Sequence, residues 1–293
     1  MPRIPIRNNV THYQESGRGP ALILLHGLFC NIGFWWFHFA PLLAENHRVV
    51  AVDLRGHGLS GMPSDAYRAV DMAEDIVALM DRLALSEAHV VGHSFGGAVA
   101  LALAAHHQNM VLKLTLADAW IPALQPLPRP KRSLTISPDL AGEGPNTPSS
   151  SNLQKEADRQ LPKVIQSFLD ELAETEAPLG DTPSDALARY CQDAAALVPS
   201  ARIPRSLRQW HRLMTETTAA ADVHDTSGLE HGVISEIEVP VDLVYGGLSR
   251  FQSSRDGLAN ALPRTRLATV PGAGHFFPFF RPRALYDAME SLQ

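Results

Sequence analysis

Short continuous aliphatic runs, each followed by a stretch with helical spacing, constrain this chain more than any other feature. Residues 21–25, 49–52, 89–91, 112–117, 241–245 and 267–270 form these runs. Most of them lack the apolar–polar alternation of a strand with one wet face. Unbroken Val, Leu and Ile runs of this length are expected of strands covered on both sides, as in a parallel sheet. Between them, residues 71–83 place Met72, Ile76, Leu79, Met80 and Leu83 on one helical face. Asp71 and Glu74 are spaced as a capping box to start that helix. A second helix is predicted over 98–106, with less regular ones over 34–43 and 257–262. The βα order predicts an α/β fold, a doubly wound and mostly parallel sheet with right-handed crossovers.

One region breaks the rhythm. Pro122, Pro126, Pro128, Pro130, Pro138, Pro145 and Pro148 crowd residues 122–150, which reads as loop. Helical patterns follow at 153–175, 184–196 and 205–217. The expected organisation is a core formed by residues 1–119 and 229–293, with 120–228 inserted as a helical lid.

Composition narrows the function. Lys and Arg total 25 against 31 Asp and Glu, a net charge of −6. That balance speaks against nucleic-acid or membrane-surface partners, which call for a basic footprint. No apolar run reaches the 18 or so residues of a membrane span, and the N-terminus lacks the apolar stretch of a signal peptide. Cys30 and Cys191 make no disulfide framework, so both are expected as free thiols in a reducing cytoplasm. No H-E-x-x-H or P-loop spacing occurs, and the glycines at 56, 58 and 61 lack the helix context and acidic ribose partner of a dinucleotide site. No metal and no cofactor is therefore expected.

The chemistry concentrates at Gly92-His93-Ser94-Phe95-Gly96. The pentapeptide alone occurs by chance. Here a strand precedes it and a helix follows, the context of a nucleophile elbow, in which side chains at 92 and 96 would clash. With His26-Gly27, residues 53–60 (Asp-Leu-Arg-Gly-His-Gly-Leu-Ser) and Gly272-Ala273-Gly274-His275, this stretch resembles the α/β-hydrolase family. The likeness is to its lidded branch of esterases, C–C hydrolases, perhydrolases and biosynthetic thioesterases. It covers residues 10–119 and 229–293, and the inserted region carries none of these motifs. Serine rather than aspartate at the elbow speaks against dehalogenase or epoxide hydrolase chemistry.

A serine hydroxyl needs a base, and His275, late in the chain on a Gly-rich loop, is the candidate. The resemblance implies structural roles for His26 and His57, and His93 is expected to point away from the nucleophile. The oxyanion donors are expected to be the N–H of Phe95 and, from the resemblance, that of Leu28. The acid departs from the family pattern: three residues past Gly246, where Asp is usual, stands Ser249. Asp118 at a strand end is the preferred substitute. Asp242, set deep within its strand, and a dyad or impaired enzyme are the alternatives.

Phe29, Trp36, Trp120 and Phe276 are candidate pocket walls, against the alternative of ordinary core packing. The expected substrate is an apolar carboxylic ester or thioester. Arg129-Pro130-Lys131-Arg132 is either a docking patch for an acyl carrier protein or a solvated loop. Two other functions compete with hydrolysis: a biosynthetic release, cyclisation or rearrangement, and ligand sensing by a residual triad.

Overall fold

The computed structural model describes residues 2–125 and 205–292. Eight strands form one sheet in the order β1-β2-β4-β3-β5-β6-β7-β8. They are β1 (Arg3–Ile6), β2 (Asn9–Ser16), β3 (Ala21–Leu25), β4 (Arg48–Val52), β5 (Ala88–His93), β6 (Val111–Ala117), β7 (Val241–Gly246) and β8 (Thr265–Val270). From β4 to β8 all pairings are parallel. β1 and β2 add an antiparallel edge. All six aliphatic runs are strands. The β1–β2 hairpin is not foreshadowed, because Asn9–Ser16 is largely polar and only partly buried.

Helices cover both faces. α1 (Gly33–Trp36) and α2 (Ala40–Leu43) follow β3, and α3 (Ala69–Arg82) follows β4. α4 (Phe95–His106) follows β5. Among the later described residues are α5 (Arg205–Glu216), α6 (Ala219–Asp222), α7 (His231–Ser235), α8 (Gln252–Ala261), α9 (Phe277–Phe280) and α10 (Pro282–Ser291). On one face Leu22, Leu24, Val49 and Ala51 pack with Trp35, Phe39, Leu43, Phe277 and Leu285. Strand alternation sends Ile23 and Val50 to the other side. α4 is buried from Phe95 to Ala104, as expected of a helix apolar all round.

The capping box does not form. α3 starts at Ala69, so Asp71 falls inside its first turn and pairs with Arg68 at 2.8 and 2.9 Å. Glu74 turns instead to His107, 2.7 Å away. The loop after β4 is anchored on α3 by a buried bidentate pair, Arg55 to Asp75 at 2.7 and 2.8 Å.

The chain divides into two compact units, Met1–Pro126 with Glu216–Gln293, and Leu127–Thr215. Residues 120–126 and 216–228, read from the sequence as part of the insertion, thus fall in the first unit. Local bonds account for this: Trp120 N–H donates to Ser94 C=O at 3.1 Å, and Thr218 N–H to Ser64 C=O at 2.9 Å. The helices expected at 153–175 and 184–196, the basic run 129–132 and Cys191 lie outside the described residues. Cys30 is a free thiol. Among the described residues no helix is long and apolar enough to cross a membrane.

Candidate active site

The last residue of β5 is His93 and the first of α4 is Phe95, so Ser94 alone makes the turn. It does so at φ 53°, ψ −125°, a backbone that costs a non-glycine residue about 1–3 kcal/mol. Surrounding bonds hold it there: Gly97 N–H and Trp120 N–H both donate to Ser94 C=O, at 2.9 and 3.1 Å. The flanking glycines permit the crowding. A Cβ at Gly92 would stand 2.4 Å from Gly96 O, and one at Gly96 would stand 2.4 Å from His26 O. Ser94 itself is partly exposed.

The loop after β3 lies against the serine, since a Cβ on Gly27 would be 2.8 Å from Ser94 Cβ. Gly27 to Cys30 form a turn closed by Cys30 N–H to Gly27 C=O at 3.2 Å, with Phe29 at φ 62°. His26 braces it. Leu54 N–H donates to His26 Nε2 at 3.1 Å, so the proton sits on Nδ1, which donates to Gly27 C=O at 2.8 Å. Burial keeps this imidazole neutral by lowering its pKa. Asp53 pins the far end of the loop, accepting from Ile32 N–H at 2.7 Å, Leu59 N–H at 2.8 Å and His12 Nδ1 at 2.7 Å. The backbone N–H groups of Leu28 and Phe95 have no acceptor among the described residues. Two such donors beside one serine are what a tetrahedral oxyanion requires.

His275 is 7% exposed, and its Nδ1 donates to Asp118 Oδ1 at 3.0 Å. That contact fixes the tautomer and leaves Nε2 for proton exchange. Asp118 follows β6 directly at φ 49°, and its own N–H donates to Val244 C=O at 2.8 Å. Its Oδ2 accepts Gly246 N–H at 2.8 Å, and its Oδ1 also accepts the Ser249 hydroxyl. Asp242 is engaged elsewhere. It lies at the start of β7 and pairs with Lys113 at 2.5 Å and Arg266 at 2.9 Å.

Rings enclose the imidazole. His93 stacks on His275 at 4.6 Å between centroids, and its Nε2 donates to His275 C=O at 3.0 Å. Burial, with His275 alongside, holds the His93 pKa well below 6.5, so it stacks as a neutral ring. His93 thus sits beneath the imidazole instead of leading away from the site. Strand alternation places it opposite Ser94, but only the packing of the final loop decides what lies on that side. Phe251 and Phe276 meet His275 edge-on at 4.6 and 4.8 Å.

The candidate wall residues separate. Trp120 is 2% exposed, with its ring 6.0 Å from Phe95 and 6.5 Å from Phe251. Its indole N–H donates to Gln125 C=O at 3.0 Å. Phe276 touches His275, and Phe29 stands on the turn beside Ser94. Trp36 is partly exposed and, like Phe276, packs against the core cluster of Trp35, Phe39 and Leu43, but it makes no ring contact to His275 among the described residues. Sequence reasoning missed Phe251, whose strand-end loop carries no motif; Phe34, one of the aromatics that follow the oxyanion loop, stacks on His93 at 4.4 Å.

The family model described as alpha/beta hydrolase fold matches residues 20–282 of the chain. The 2-hydroxymuconate semialdehyde hydrolase of Pseudomonas sp. (strain CF600) is 39% identical over 109 residues, 36% of this chain and 38% of its own length. The soluble epoxide hydrolase of Corynebacterium sp. (strain C12) is 27% identical over 283 residues, 94% of this chain and 91% of its own length. The first listed curated relatives are matched over half of their length or less. Among solved structures, a meta-cleavage product hydrolase from Pseudomonas fluorescens IP01 superposes with a TM-score of 0.66 at 21% identity. That superposition covers 100% of this chain and 98% of the other.

Proposed function

The chain belongs to the alpha/beta hydrolase fold family, and on that premise we propose that it is a serine hydrolase cleaving a carboxylic ester or thioester of an apolar small molecule. Ser94 Oγ attacks the carbonyl carbon while His275 Nε2 takes its proton. Asp118, on the Nδ1 side, orients the imidazole and stabilises the imidazolium that forms. The carbonyl oxygen, now negative, accepts the N–H groups of Leu28 and Phe95. His275 returns the proton to the departing alcohol or thiol. A water molecule, deprotonated by the same imidazole, then releases the acid from Ser94.

One observation carries the reading: a buried carboxylate 3.0 Å from His275 Nδ1, beside a serine in a strained turn. The aromatic surroundings, Phe251, Phe276 and Trp120, favour an apolar acyl or alcohol part. Substrate classes among the relatives differ, so the leaving group is the finer part of the proposal.

The test combines an active-site fluorophosphonate with a panel of p-nitrophenyl esters and acyl thioesters. Wild-type protein is expected to label and to turn over, and Ser94→Ala to lose about 10⁴-fold or more in kcat. Equal turnover in both proteins would remove Ser94 from the reaction. Rapid labelling with no turnover of any member would favour the sensing alternative.

A further inference from the structure

We propose that Ser249 is a positioning residue that holds Asp118 in the orientation His275 requires, a role that rests on the serine-hydrolase reading above. It stands where the family resemblance leads one to expect the acid itself.

The side chain of Asp118 is fully buried. A carboxylate removed from water needs protein donors on both oxygens. Oδ2 has Gly246 N–H at 2.8 Å. Oδ1 has His275 Nδ1 and the Ser249 hydroxyl. The carboxylate torsion is intrinsically broad, so one pinned oxygen leaves the plane free to turn. A second donor on Oδ1, independent of the imidazole, sets that plane before His275 gains a proton and keeps it set afterwards.

The direction of the hydroxyl is determined by its other partner. Phe251 N–H donates to Ser249 Oγ at 3.0 Å, occupying a lone pair and leaving the proton for Asp118. The backbone of Ser249 is equally constrained. Its N–H donates to Gly246 C=O at 3.1 Å, and its C=O accepts Gln252 Nε2 at 3.0 Å. The neighbouring Leu248 N–H donates to Ala273 C=O at 2.9 Å, two residues before His275. One rigid turn therefore carries the hydroxyl and grips the loop that bears the base. Ser249 is 5% exposed, so bulk water has little access to replace the bond.

The experiment compares wild type, Ser249→Ala and Ser249→Thr by steady-state kinetics on the p-nitrophenyl ester the wild type turns over fastest, with thermal unfolding alongside. Loss of a hydrogen bond to a buried charge predicts a kcat about 10- to 100-fold lower in Ser249→Ala. KM should stay within about threefold, because ground-state binding is untouched. Ser249→Thr, which keeps the hydroxyl, should recover kcat to within about threefold of wild type. Ser249→Ala with a kcat within about twofold of wild type overturns the proposal while leaving the hydrolase reading intact. So does a loss that Ser249→Thr fails to repair and that tracks a lowered Tm, since the role would then be structural. If the wild type turns over no ester, the rate of fluorophosphonate labelling at Ser94 gives the same comparison: slower in Ser249→Ala and restored in Ser249→Thr supports the role, and equal rates overturn it. A wild type that neither labels nor turns over removes the hydrolase reading, and this proposal with it.

Discussion

Two buried histidine–aspartate pairs in this protein look alike and differ in what surrounds them. His12 Nδ1 lies 2.7 Å from Asp53 Oδ2, and His275 Nδ1 lies 3.0 Å from Asp118 Oδ1. Each carboxylate also accepts two further protein donors: Ile32 and Leu59 N–H at Asp53, Gly246 N–H and Ser249 O–H at Asp118. The distinction lies beyond the pair. Among the described residues His12 Nε2 is buried without a hydrogen-bond partner, and Asp53 spends its lone pairs tying loops together. His275 stands where the strained serine turn, the oxyanion loop and an aromatic wall converge. A histidine–carboxylate contact is therefore no sign of catalysis by itself. In the proposed mechanism the nucleophile and the oxyanion donors make the difference.

The sharpest way to break that comparison is to replace both histidines by the same residue. His275→Gln is expected to lower kcat/KM for an activated ester by about 10⁴-fold or more with little change in Tm. His12→Gln is expected to keep kcat within about threefold while lowering Tm, because Asp53 loses a buried partner. Similar activity losses in both variants would erase the distinction. Replacing the carboxylates comes next. Asp118→Asn should cost about 10³–10⁴-fold in kcat by imposing the wrong tautomer, and turnover within a few-fold of wild type would remove Asp118 as the acid. A relocation sharpens this result. Gly suits the left-handed backbone at 118, so Asp118→Gly combined with Ser249→Asp should regain about tenfold or more over Asp118→Gly alone.

The smallest effect concerns pH and belongs to the loop-tying side. His57 lies 5.3 Å from His26, and burial, aided by that neighbour, lowers its pKa from 6.5 to about 3. Between those values the unfolded chain binds more protons than the folded one. Stability therefore rises with pH across that window and is lost as pH falls from about 6.5 towards 3. Each such imidazole contributes a slope of up to about 1.4 kcal/mol per pH unit. Thermal unfolding across pH 4–7 should show this decline. His57→Asn, which keeps a donor for Arg55 C=O, should flatten it, and an unchanged slope would discharge His57 from the effect.

Much of this was readable before any coordinates. The aliphatic runs named six strands; five lie largely buried within the sheet, while β8, expected to be covered on both faces, forms its partly exposed edge. The elbow announced itself for a local reason: glycines at 92 and 96 are demanded by backbone atoms only a few residues or one strand away. The β1–β2 edge was illegible because half-exposed polar strands carry no such demand. The place of Trp36 on the core cluster was equally hidden, since an aromatic beside a site motif reads the same whether it faces ligand or core.

The sequence alone determined the order of nucleophile, strand-end aspartate and late histidine, since these lie in short segments whose shape follows from local sterics. Only the tertiary structure decided which carboxylate meets His275, what Ser249 does in the place of an acid, and that His93 underlies the imidazole. The partners of the His275–Asp118 bond are 157 residues apart. Their meeting depends on the parallel register of β6, β7 and β8 and on how the last loop packs across it, and side-chain packing over such separations leaves no local mark.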